Sequence, residues 1–145
     1  MAAVKDLIKS LLKLKSAKTA RWTAPYVGIK PGLYGDGDKL LGVTMPDICK
    51  TVKEFQSSLT IKEIQVLFDS EYHEVRMAGL LTLLYCYKKS TVVKDMKKLY
   101  EFYITNIRSN KINNWDFIDL SAPHISGLFL FEKPDHGRSI LLGFA

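Results

Sequence analysis

Four successive stretches, "TMPDICKTVKEF", "LTIKEIQVLFDS", "SEYHEVRMAGLLTLLYCYKK" and "STVVKDMKKLYEFYITNI", have helix length and helical apolar spacing, and only short breaks part them. No segment shows the two-residue alternation of a half-buried strand. The chain must therefore bury its apolar stripes helix against helix. Thr44 is a natural N-cap with Pro46 in the first turn, where a missing N–H costs little. Thr60 and Glu63 form a capping-box pair. Met77, Leu80, Leu81, Leu84 and Tyr85 give the third stretch a broad apolar surface and predict the most buried helix; Val93, Met96, Leu99, Tyr100 and Tyr103 mark one side of the fourth. Antiparallel helix pairs at irregular periods of about forty residues predict an all-α, HEAT-like solenoid rather than a four-helix bundle.

The flanks extend this pattern. Val4, Leu7, Ile8, Leu11, Leu12 and Leu14 recur at helical spacing, with Lys5, Lys9 and Lys13 elsewhere on the wheel. Such a helix lies on a membrane surface or packs on a core with its lysines solvated, and the second is the commoner use of the pattern. Its lysines interrupt any secretory leader, and no apolar run is long enough to span a bilayer. No membrane partner is expected, and the cytoplasm is the expected location. From Pro25 to Gly42, "PYVGIKPGLYGDGDKLLG" is dense in Gly and Pro and reads as a long ordered loop, with Tyr34 and Leu40 packed beneath it. It matches no phosphate-binding pattern, and Asp36 and Asp38 would repel an anion. "KINNWDFIDLSAPHISG" opens a further helix capped by Asn113 or Asn114. Pro123 should kink or break it, leaving "HISGLFLF" as a short piece before a turn at Pro134.

Lys and Arg number 21 against 15 Asp and Glu, a net charge of +6. That balance favours a polyanion if the charges share one face, and otherwise describes an ordinary solvated basic surface. Cys49 and Cys86 are too few for a disulfide framework. His73, His124 and His136 lie far apart, and "HEVRM" fails the H-E-x-x-H zinc pattern at Met77, so neither a metal nor an organic cofactor is expected. No G-x-S-x-G elbow or Cys–His pairing supports nucleophilic catalysis.

Trp115 and Asp119 are four residues apart and share one helix face, while Asp116 sits about 100° round from Trp115. Asp116, in the first turn, is placed to complement the helix dipole and free backbone donors. Asp119 lies beyond that benefit. It is either a solvated or arginine-paired surface carboxylate beside a core indole, or half of a pair offered to a cationic reacting group through Coulomb attraction and cation–π contact. The second arrangement suits glycosidic cleavage through an oxocarbenium-like transition state. An N-alkylated purine already carries positive charge and leaves without a general acid, so one carboxylate suffices.

"YGDGDKLLGVTMPDICKTVKEF", "LTIKEIQVLFDSEYHEVRMAGLLTLLYCYKK" and "INNWDFIDLSAPHISG" together resemble the DNA alkylation repair glycosylases of the AlkD type over roughly residues 22 to 142. The resemblance implies a right-handed solenoid of HEAT-like helix pairs whose basic concave face holds duplex DNA bearing alkylated purines. It further implies release of N3- and N7-alkylated purines by hydrolysis of the N-glycosidic bond, without metal or organic cofactor and without a deep pocket for an extruded base. On the matching motif, Asp119 falls at the catalytic carboxylate and Trp115 at the aromatic that contacts the lesion-bearing deoxyribose. Thr44 and Met45, in the G-V-x-x-P segment, fall where the family approaches the opposite strand. Arg76 matches a family arginine, and its alternatives are DNA, Glu71 and a neighbouring helix. Lys88, Lys89, Lys97, Lys98, Arg108 and Lys111 cluster at helix ends as candidate phosphate contacts. AlkD-like proteins continue through further helices that carry a second basic and aromatic wall, whereas this chain stops at "RSILLGFA". One domain lacking the C-terminal helices of the family is therefore expected, inactive if those helices are needed, with a partner over its exposed apolar end. The competing expectation is a non-catalytic HEAT-like module that binds DNA or protein.

Overall fold

A computed structural model describes residues 2–132, 138–139 and 142–143, and every regular element among them is helical. In chain order these are α1 (Ala2–Lys13), α2 (Ala17–Thr23), α3 (Met45–Phe55), α4 (Ile61–Phe68), α5 (His73–Lys89), α6 (Val93–Arg108), α7 (Trp115–Ser121), a π-helical turn (Pro123–Gly127) and α8 (Leu128–Glu132). The expected turn at Pro134, and His136, lie outside the described residues.

The core is built around α5, which packs against α1, α3, α4, α6 and α7. Partners on so many sides explain why its apolar residues form no single stripe. Of the residues its sequence singles out, Met77, Leu80 and Leu84 are buried and Leu81 and Tyr85 only partly so, while Val75, Leu83 and Tyr87 are buried as well. Gly79 sets the approach of α4, since a Cβ there would stand 3.0 Å from the Cβ of Leu67. On α1, Val4, Leu7 and Leu11 are buried against α3, α4 and α5. Most of its apolar face is thus packed on the core, as the commoner use of the pattern predicts, with Leu12 and Leu14 left exposed. Among the described residues no helix is long and apolar enough to cross a membrane.

The local signals between helices act as their chemistry requires. Thr60 Oγ1 accepts from the Glu63 N–H at 3.3 Å, and Glu63 Oε2 accepts from the Thr60 N–H at 3.0 Å. That closed capping box stabilises α4 by about 1 kcal/mol. The helix α2 has no counterpart in the sequence reading. It is seven residues long, buries none of its side chains, and starts where Ser16 Oγ accepts from the Thr19 N–H at 3.2 Å. Without an apolar period, only that cap announces it.

One local expectation holds and one is corrected. As expected at Pro123, α7 stops at Ser121 and the chain widens into a π turn, in which the Gly127 N–H reaches Ala122 O at 2.8 Å, before the short helix α8. The looser turn accommodates a residue with no N–H to donate. In the loop, Leu40 is half-buried and Leu41 fully buried, but Tyr34 is 47% exposed. Its hydroxyl donates to Tyr26 O at 3.1 Å, bracing the loop from outside.

The loop is nonetheless tightly held. Lys39 N–H donates to Glu71 O at 3.0 Å, His73 N–H donates to Lys39 O at 2.9 Å, and the buried Glu74 carboxylate accepts from Leu41 N–H at 2.9 Å and Gly42 N–H at 2.7 Å. Gly42 adopts φ 77°, and a Cβ there would fall 2.0 Å from Ser16 O. Only glycine fits where the loop passes the start of α2.

Candidate functional site

Helix α7 has two faces set by its spacing. Phe117 and Ser121, four apart, are buried. Ser121 Oγ donates to Phe117 O at 2.6 Å and meets the Tyr103 hydroxyl of α6 at 2.8 Å. Trp115 and Asp119, also four apart, lie about 200° round from that face and are exposed. Asp116 sits between the faces.

The outer face is the one the sequence singles out. Trp115 is 50% exposed, and its indole N–H donates to Tyr26 O at 2.9 Å. The ring is therefore held by one edge while half its surface stays open. Asp119 forms no hydrogen bond or ion pair among the described residues. Of the structural alternatives, Trp115 is not a core residue, while Asp119 has no arginine partner among the described residues and stands as a solvated surface carboxylate. Next to Trp115, the expected cap Asn114 does begin α7, but its side chain serves the loop instead, donating to Val27 O at 2.9 Å. Asp116 takes over part of the capping by accepting from the Phe117 N–H at 2.8 Å.

On its other oxygen, Asp116 meets His73 Nε2 at 2.8 Å, and His73 Nδ1 lies 3.3 Å from Asp38 Oδ2. Burial works to lower the His73 pKa, but its hydrogen bonds with Asp116 and Asp38 outweigh that and hold it above its ordinary value. The same Asp38 oxygen accepts from Arg76. Below the imidazole lies Phe117, stacked at 4.4 Å and 17°, with the Arg76 guanidinium 5.5 Å from the same ring. His73 and Arg76, one turn apart on α5, thus grip α7 through a carboxylate and a ring. Beside this cluster a cleft of about 260 Å³ is lined by Thr44, Met45, Ile48, Met77, His73 and Asp116, among others.

Sequence reasoning meets His73 only as a failed zinc ligand and Asp38 only as an anion repellent, because the partners that define them lie 35 to 43 residues away. Trp22 and Tyr26 were also passed over. They are 70% and 66% exposed and line an open depression with Arg21 and Pro25, adjoining Trp115 through the Tyr26 carbonyl.

The candidate DNA contacts divide. Arg76 is buried and spent on Asp38 and Phe117, so its reading as a DNA contact is corrected: a guanidinium enclosed by protein has no access to a phosphate. Its ion-pair partner is Asp38 of the loop rather than Glu71, and its ring contact, Phe117, lies on the neighbouring helix α7. Thr44 caps α3, accepting from Asp47 N–H at 3.4 Å and donating to Asp47 Oδ2 at 2.6 Å. Met45 is 39% exposed at the cleft. Lys111 pairs with Asp69 at 3.3 Å, and Arg108 is exposed in the last turn of α6. Lys88 and Lys89 end α5, with the Lys89 ammonium 4.8 Å from the Tyr85 ring. At about 1.5 Å per residue they stand roughly 24 Å from His73 along the axis. Lys88 and Lys89 therefore stand at the opposite end of α5 from the His73 cluster.

A family model described as DNA alkylation repair enzyme matches residues 7–145. No curated protein and no solved structure matches the chain.

Proposed function

Since the chain belongs to the DNA alkylation repair enzyme family, we propose that it is a DNA glycosylase that hydrolyses the N-glycosidic bond of N3- and N7-alkylated purines in duplex DNA. The observation that carries this reading is Asp119, an exposed carboxylate with no protein partner among the described residues, one helical turn from a half-exposed, tethered Trp115. A carboxylate left unpaired on a folded surface is available to a positive charge supplied by substrate.

The chemistry needs little more. The C1′–N bond breaks with its electron pair moving onto the base, which departs neutral because alkylation had made it cationic. Positive charge then develops on the deoxyribose, where Asp119 stabilises it by Coulomb attraction and the Trp115 indole by cation–π contact. Water adds at C1′ and loses a proton, with Asp119 orienting it. Lys88, Lys89 and Arg108 are proposed as phosphate contacts, with Lys111 contributing when DNA competes with Asp69.

The test is chromatographic detection of 7-methylguanine and 3-methyladenine released from methylated duplex DNA. The parent chain should release both, and Asp119→Asn should lower release about 10²-fold or more while DNA affinity changes little. A folded parent that binds DNA without releasing base would leave the binding-module reading in its place.

A further inference from the structure

We infer that His73 is a positioning residue for the α7 site: as an imidazolium it joins Asp38 of the loop to Asp116 of α7, and so fixes where Trp115 and Asp119 stand. The clamp stands on geometry alone, while its effect on catalysis rests on the glycosylase reading.

Both ring nitrogens face carboxylate oxygens, at 3.3 Å and 2.8 Å. An ionised carboxylate only accepts hydrogen bonds, so both contacts are bonds only when both nitrogens carry protons. A neutral imidazole donates once, and its bare nitrogen then faces a carboxylate lone pair. The surrounding charges fit this requirement. Arg76, from the same helix, bonds Asp38; with His73 protonated, two cations meet two carboxylates. Glu74 faces the same cleft but is occupied by the Leu41 and Gly42 N–H groups, and the Lys39–Glu71 ion pair at 2.7 Å closes on itself at the surface. Against the cation stands the N-terminal end of α5, whose dipole disfavours positive charge. Asp38 and Asp116 offset that cost.

The clamp reaches the site by a short path. Asp116 lies between Trp115 and Phe117, and the His73 ring covers Phe117 at 4.4 Å. Releasing the carboxylate frees the first turn of α7, which carries Trp115, and tilts the turn that carries Asp119. A misplacement of about 1 Å costs on the order of 10²-fold in an oriented reaction. The tether from the Trp115 indole to Tyr26 O belongs to the same loop that Asp38 anchors, so loop and helix move together or not at all.

Nitrogen-15 NMR tests this on the DNA-free chain, following the His73 ring nitrogens and the Trp115 indole N–H through a pH titration. Single-turnover release of 7-methylguanine is measured over the same range. His73 should titrate above its ordinary 6.5, the Trp115 resonance should shift with the same midpoint, and base release should fall about tenfold per pH unit beyond it. Asp116→Asn should lower all three midpoints together, and His73→Gln should remove the Trp115 transition. A Trp115 resonance indifferent to His73 titration overturns the inference. So does a base-release profile that stays in place in Asp116→Asn while the His73 midpoint moves. Release absent at every pH, with Trp115 still following His73, would sink the glycosylase reading and support the clamp.

Discussion

The two ends of α5 use charge in opposite ways. At the first turn, His73, Glu74 and Arg76 are each under 10% exposed, and each is bonded to the loop or to α7. At the last turn, Lys88 and Lys89 stand in water. Removing a charge from water costs several kcal/mol unless partners surround it, whereas a solvated lysine costs nothing to keep. The first end therefore holds the fold together, and the second is free to meet an external anion. Residue type alone does not separate an architectural arginine from a DNA-binding one. Burial does.

Arg76→Ala strikes the buried end hardest, since Asp38 would lose its guanidinium while staying enclosed. A loss of about 3–5 kcal/mol is expected in urea unfolding, with no change in the salt dependence of DNA binding for whatever folded protein remains. An Arg76 variant of ordinary stability that lost salt dependence would reverse the assignment. Glu74→Gln keeps the shape but weakens the hold on Leu41 and Gly42, at a cost of about 1–3 kcal/mol.

The pH dependence of stability sharpens the same contrast. Because the folded-state pKa of His73 is raised, its protonation contributes stability fully below the unfolded value of about 6.5. That contribution is lost as pH rises through the raised folded value. Urea midpoints should fall across that window in the parent and stay level, as far as this group is concerned, in His73→Gln. The exposed end gives the smallest effect on folding: Lys88→Ala with Lys89→Ala should change stability by less than about 0.5 kcal/mol. If both reach phosphates, the slope of log binding constant against log salt should become shallower by about 0.9 for each.

What the sequence makes legible follows how far apart the interacting groups lie. The Thr60–Glu63 capping box and the shared face of Trp115 and Asp119 are contained within one turn, and their spacing alone predicts them. The burial of α5 is also legible, because its apolar residues are too many for one face. Asp38, His73 and Asp116 carry ordinary residue identities, and nothing near any of them announces the others. Their meeting depends on how the loop crosses the start of α5, which in turn depends on Gly42 passing Ser16 and on Glu74 gathering two backbone donors. The ion pair of Arg76 is illegible for the same reason, since Asp38 lies 38 residues back in the loop.

The anchors of α7 on that loop have a further consequence. Trp115 and Asn114 donate to the oxygens of Tyr26 and Val27, which belong to the main chain. Main-chain acceptors survive almost any substitution that leaves the local path intact. The residues flanking the indole are thus free to drift without unseating it, and this chain retains a way to alter what its surface recognises while inheriting the placement of its tryptophan unchanged.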